Sequence, residues 1–192
     1  MILHRLTSDD FQRMPWKNGG GETVQLAIWP PDAGLDHFDW RLTSANVARS
    51  GPFSLFAGVD RSLALVSGGM LSLHIAQADG QPAAERLLHP GEQLDQFAGE
   101  TPIFAEVTPG RAIVDFNVMT RRARCRHRLQ RWRLDGEQTV EHPLWFVYLT
   151  AGALRTGTMM LSLAVGELLW AQGEAVLRGK AEGWLVTIES GE

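Results

Sequence analysis

Glycine and proline cut this chain into short pieces. Gly68-Gly69, Asp79-Gly80, Pro90-Gly91 and Pro109-Gly110 each separate two apolar runs, and Gly152, Gly157, Gly166, Gly173 and Gly179 punctuate the second half. Glycine reaches φ > 0 at little steric cost, and proline fixes φ and lacks an N–H, so both mark turns. Between these marks no apolar pattern holds a 3.6-residue period long enough for a substantial helix. The runs alternate instead. Val24, Leu26 and Ile28 oppose Thr23, Gln25 and Ala27, and Phe38, Trp40 and Leu42 oppose Asp39, Arg41 and Thr43. Period two is the signature of strands with unlike faces. Many short strands at close spacing predict an all-β barrel or sandwich.

The same reading makes finer expectations. Residues 2–6 form a strand, and 7–14, opening on Thr7 and Ser8, form one or two helical turns. Residues 62–67 and 70–76 flank Gly68-Gly69 as a two-residue hairpin. Residues 103–108 and 112–120 pair around Pro109-Gly110. Strands resume at 144–150, 158–165, 167–170, 175–177 and 184–189. The stretches SGGMLSLHI and TAGALRTGTMMLSLAVGE repeat loosely, as hairpins feeding a jelly roll would.

A chain of 192 residues with 44% hydrophobic side chains is one large domain or two small ones with a real core. The formal net charge of −4 argues against a nucleic-acid partner. The densest basic run, RRARCRHRLQRWR, could form such a patch, but in an acidic protein it reads better as a solvated connector. The lone Cys125 rules out an internal disulfide and points to a reducing compartment. Its arginine neighbours could lower its pKa, but no catalytic partner accompanies it. No run is long enough to span a bilayer, and the first residues lack an apolar signal region, so a cytoplasmic protein without a membrane partner is expected.

Chemistry is sparse. There is no G-x-S-x-G, H-E-x-x-H or P-loop, so no catalytic residue is assigned. The six histidines are scattered, and a metal needs three or four ligands held together. A jelly-roll metal site of the cupin kind uses H-x-H, a glutamate and a later histidine. His74 could begin such a set, but Ala76 stands where the second histidine belongs, so neither metal nor cofactor is expected.

The binding candidates are clearer. PWKNGGGET, Pro15–Thr23, puts Lys17 and Asn18 before three glycines, where exposed N–H groups suit an anion. Arg41, Arg61, Asp115 and Asn117 lie on strands. Asp115 and Asn117 share a face with Ile113 and Met119, which suits either a polar-flecked lumen or a wetted sheet face. An inward arginine would require an anion, and its planar fork fits a carboxylate.

Three blocks, PWKNGGGET, FDWRLTSANVARSGPFSLFAGVDRSLALVSG and DFNVMTRRA, resemble the HutD/Ves family of cupin-like proteins and occur in that family's order. The resemblance covers residues 15 to about 123. It implies a bicupin of two antiparallel jelly-roll barrels, here 1–122 and 123–192, with N-terminal strands available to complete the second. It also implies a non-enzymatic role in bacterial histidine utilisation, binding a small anionic metabolite such as a formyl- or formimino-glutamate. The alternative is a metal-independent cupin enzyme acting on a small carboxylate. The ligand-binding set expected is Lys17, Asn18, Gly20, Thr23, Arg41, Ser44, Arg61, Asp115 and Asn117. A homodimer is left open.

Overall fold

The computed structural model describes residues 2–17, 19–77, 83–156 and 161–191. Asn18, Asp79-Gly80 and the start of the strand expected at 158–165 lie outside the described residues. Among the described residues every regular element is a strand. In chain order these are β1 (Ile2–Leu6), β2 (Gln12–Pro15), β3 (Gly21–Trp29), β4 (Trp40–Val47), β5 (Gly51–Pro52), β6 (Val59–Gly68) and β7 (Leu71–Ile75). There follow β8 (Ala84–Leu88), β9 (Gln93–Ala98), β10 (Ile103–Val107), β11 (Ile113–Arg121), β12 (Cys125–Thr156), β13 (Leu161–Leu163) and β14 (Leu168–Ser190).

The chain divides into two compact units. The first, Gln12–Arg124, is a pair of antiparallel sheets, with strand orders β2-β3-β4-β11-β6-β9 and β5-β10-β7-β8. Alternation builds its core. Ala45, Val47, Leu63, Leu65 and Ile113 project from the larger sheet onto Leu71, Leu73, Leu88, Ile103, Ala105 and Val107 of the smaller.

That packing corrects two expected hairpins. β6 pairs with β11 and β9, whereas β7 pairs with β10 and β8, so Gly68-Gly69 carries the chain from one sheet to the other. Pro109-Gly110 does the same between β10 and β11. A hairpin would have placed Leu63 and Leu71 in one sheet, leaving neither with an opposing layer. Gly68 is required at its crossing: its φ is +97°, and a Cβ there would sit 2.2 Å from the Ala112 carbonyl oxygen. The helical turns expected at 7–14 are also absent. Thr7 donates to the Asp10 carboxylate from its N–H (2.8 Å) and Oγ1 (3.1 Å), which closes a tight turn before β2. β2 is then an edge strand, where the missing N–H of Pro15 is tolerated.

The second unit joins β1 to the chain from Cys125 onward. Residues 125–142 pair with 173–190, and 177–188 pair again on their other side with 144–156. Residues 168–171 lie between 145–148 and β1. Residues 2–6 therefore belong here rather than to a first barrel of 1–122. Gly136 faces Gly179 in the long ladder, with φ of 96° and 143°, and their freedom lets the ribbon bend. Trp132, Trp145 and Leu185 on one side of the bend then meet Val140, Leu154, Leu163 and Leu177 on the other.

The basic run is not a connector. It is the first stretch of β12, with Cys125, His127, Leu129 and Trp132 buried and Arg126, Arg128, Arg131 and Arg133 exposed. Arg131 and Arg133 both reach Glu182, at 3.2 and 3.0 Å, so part of the charge is spent within the sheet.

Candidate functional site

Register assembles the site on the inner face of the larger sheet. One rung across β4, β11 and β6 is Arg41–Met119–Arg61. The next is Thr43–Asn117–Leu63, and the next Ala45–Asp115–Leu65, where a bulge between Val114 and Asp115 interrupts the β11–β6 ladder. Bulges re-aim side chains and recur beside functional sites. Polar groups therefore occupy one end of the inner face, and the apolar core of the unit the other. Asp115 and Asn117 are 3% and 5% exposed, which settles the choice between a lumen and a wetted face in favour of the lumen.

These rungs wall a cavity of about 720 Å³. Lys17, Gly20, Thr23, Arg41, Arg61, Asp115 and Asn117 line it. Ser44 does not: strand alternation turns Thr43 and Ala45 to the cavity, and the Ser44 Oγ donates to the Asp115 main-chain oxygen at 2.8 Å. Asn18 lies outside the described residues.

The glycine loop is pinned against the wall. The Trp16 N–H donates to the Gly21 oxygen (2.9 Å), and the Ala48 N–H to the Gly20 oxygen (2.9 Å). The Trp16 indole N–H donates to Thr23 Oγ1 at 2.8 Å. Gly21 must be glycine, since a Cβ would lie 2.2 Å from the Asn46 oxygen and 3.2 Å from the Trp16 ring. Thr23 thus holds Trp16 at the cavity by accepting its indole N–H.

The two arginines differ. Arg61 donates from Nη2 to Asn117 Oδ1 and from Nη1 to the Ser54 oxygen, each at 3.1 Å. Its guanidinium carbon lies 5.1, 5.5 and 5.4 Å from the rings of Phe53, Phe56 and Phe97, a cation–π cage. Its Nε is buried and meets no acceptor among the described residues. Arg41 donates from Nε to Gln25 Oε1 at 2.8 Å, and its terminal nitrogens meet no acceptor among the described residues. Burial pulls both guanidinium pKa values down to about 10, and for Arg61 the Asp115 charge opposes that pull while the Arg41 charge adds to it. Both stay protonated at neutral pH.

Asp115 pairs with neither arginine. Its Oδ1 accepts the Ala45 N–H at 3.1 Å and Asn117 Nδ2 at 2.7 Å. Burial pushes its carboxyl up to about 7, against the pull of Arg61 and the two N–H donors. The site therefore sets two charged guanidiniums, one of them open at its end, beside a buried carboxyl whose pKa is pushed up to about 7.

Sequence reasoning missed Arg49, Phe53, Phe56 and Met119, all on the cavity wall. Arg49 was within reach, being Arg41's i+8 partner on the alternating face. The two phenylalanines sit in a turn-rich segment with no period to betray them. Other features stand apart from the cavity. His74 lies on β7 opposite the buried Leu71 and Leu73, with Nδ1 3.5 Å from Glu85 and Nε2 3.2 Å from Glu106. Among the described residues no three His, Cys, Asp or Glu side chains come together as a metal set, and no helix is long and apolar enough to cross a membrane.

Comparison with known proteins places this geometry. Protein Ves of Cronobacter sakazakii is 35% identical over 94% of this chain and 96% of its own length. A 21.2 kDa protein in the hutC 3' region of Pseudomonas putida is 41% identical over 67% of this chain and 63% of its own. The structure of HutD from Pseudomonas fluorescens SBW25 superposes with a TM-score of 0.81 at 27% identity, covering 100% of both chains. At 8% identity the likeness is of fold alone: oxalate decarboxylase of Lactobacillus farciminis superposes with a TM-score of 0.67 over 96% of this chain and 85% of its own, a cupin-like architecture. The HutD family model matches residues 8–187, and the chain belongs to the HutD family.

Proposed function

We propose that the first unit is a receptor for a small carboxylate metabolite, and that the chain acts by binding rather than by catalysis, within histidine utilisation. The observation that carries this is Arg41. It is buried and charged, it lines a cavity, and its terminal nitrogens are unclaimed by any described residue. A desolvated cation without a counter-charge is costly, and a bound carboxylate removes that cost with a bidentate, charge-assisted pair. The hut-linked relatives support the pathway, and the family resemblance implies metabolites such as N-formylglutamate or N-formiminoglutamate. On the same reading each unit is a cupin-type jelly roll and the chain a bicupin, with the second unit serving as scaffold.

The test is a thermal-shift series with N-formylglutamate, N-formiminoglutamate, glutamate and simple monocarboxylates, because a ligand that binds the native state raises its apparent stability. Wild type should respond to at least one of them, and Arg41→Met should fold but lose the response. Equal responses in both proteins would sink the reading. One observation favours an enzyme instead: a buried carboxyl that titrates near neutrality is poised for proton transfer. Conversion of either glutamate derivative, followed by proton NMR over hours, would decide for that alternative.

A further inference from the structure

We infer that Asp115 meets the ligand as a neutral acid, donating from Oδ2 to an uncharged acceptor oxygen, so that the site selects anions bearing a carbonyl and rejects those bearing a cationic nitrogen. This rests on the cavity being a carboxylate receptor, and it assigns the second half of the ligand.

The hydrogen-bond pattern carries the inference. Asn117 Oδ1 accepts from Arg61 Nη2, so the amide is oriented, and its Nδ2 must be the group that donates to Asp115. Asp115 Oδ1 thus receives two N–H bonds, from Asn117 and Ala45. Oδ2 receives none among the described residues, and the side chain lines the cavity. A proton on this carboxyl therefore sits on Oδ2, the oxygen with nothing else to bond. Asp115 forms no ion pair among the described residues: Arg61, facing from β6, favours the charged form only from beyond ion-pair distance and spends its Nη groups on Asn117 and Ser54, and burial outweighs its pull. From β4 comes Arg41, from the glycine loop Lys17, and from the segment after β4 Arg49, while β3 brings Thr23, which does not titrate here. The upward shift of the Asp115 carboxyl agrees with this arrangement. The expectation that Asp115 would accept from a ligand N–H, or orient an arginine, gives way to a donor role.

The discriminating pair is N-formylglutamate and N-formiminoglutamate, which differ by a neutral carbonyl oxygen against a cationic nitrogen. Isothermal titration on the full chain, in buffers of differing ionisation enthalpy between about pH 6 and pH 8, reads affinity and proton uptake together. N-formylglutamate should bind with uptake of protons and weaken by up to about tenfold per unit at the alkaline end. At about pH 6, where the carboxyl keeps its proton, N-formiminoglutamate should bind at least about tenfold more weakly, since a donor would face a donor. Asp115→Asn keeps a donor at the Oδ2 position, so it should hold N-formylglutamate within about threefold and erase the pH dependence. Loss of N-formylglutamate binding in a folded Asp115→Asn protein overturns the inference, as does a wild-type preference for N-formiminoglutamate. If that variant does not fold, the wild-type ratio and proton count decide. Equal binding of both ligands, lost in Arg41→Met, defeats the Asp115 role and leaves the carboxylate receptor standing. No Arg41-dependent binding at all removes the receptor itself.

Discussion

The two units are both built from antiparallel strands and treat their interiors oppositely. Residues 12–124 bury Arg41, Arg61, Asp115, Asn117, Thr43, Ser44, Ser62 and Thr120, whereas among the described residues of the second unit the buried polar ones are His127 and Thr156. Where the first unit holds charge, the second packs Trp132, Trp145, Leu154, Leu177 and Leu185. A β-sandwich interior is indifferent to which it holds, provided every polar group finds a partner. The first unit keeps ionisable groups in its interior, whereas the second packs its interior with apolar and aromatic side chains.

The strongest break in that comparison lies in the second unit. Trp145 is fully buried and its Nε1 donates to the Gly173 oxygen at 2.8 Å. Trp145→Ala should cost about 3–5 kcal/mol in denaturant unfolding, from lost burial and the cavity left behind. A cost below about 1 kcal/mol would mean the second unit is not a packed core. In the first unit the order reverses. Arg41→Met should leave unfolding nearly unchanged, since replacing a buried charge by an apolar chain of similar length is often neutral or better. Its carboxylate ligand should weaken by roughly 2–5 kcal/mol, measured by calorimetry.

A third effect depends on pH. Burial raises Asp115 from 3.8 to about 7, so the folded chain keeps a proton that the unfolded chain releases. The native state binds more protons in that window. Stability is therefore full below about pH 4, falls as pH rises through about 7, and then levels, by at most about 1.4 kcal/mol per unit. Asp115→Asn should flatten this slope in urea midpoints, gaining most at the alkaline end; an unchanged slope would assign it to other groups. The smallest effect belongs to the surface. Arg178 meets Glu137 at 2.6 Å, both more than half exposed, and Arg178→Ala should shift unfolding by less than about 1 kcal/mol.

Local pattern carried much of this architecture. Period-two alternation placed β3, β4 and β11 and put Asp115 and Asn117 on one face and Arg41 opposite Trp40 and Leu42, because side-chain direction in a strand is fixed by position; which face turned inward was not local. Partner choice was not local. Gly68-Gly69 suits a hairpin as well as a crossing between sheets, and what excludes the hairpin is the opposing layer of Leu71, Leu73 and Ile103. The basic run misled for a related reason. Exposed arginines on one face of β12 look like a solvated linker until His127, Leu129 and Trp132 are seen as the other face. At the site, strand residues were legible, and the Phe53, Phe56 and Phe97 cage was not, since it gathers two turn residues and an edge strand around a single cation.

The pairing of β1 with β14 has a consequence for how the chain is made. Residues 2–6 emerge before any of the unit formed by residues 12–124, and their partners, 168–172, emerge after all of it. The unit of residues 12–124 can thus be complete while β1 is all that exists of the other, and during synthesis β1 waits with its backbone groups unpaired. Trimming or fusing at residues 2–6 is accordingly a lesion at the far end of the sequence, felt as an uncovered edge along residues 168–172.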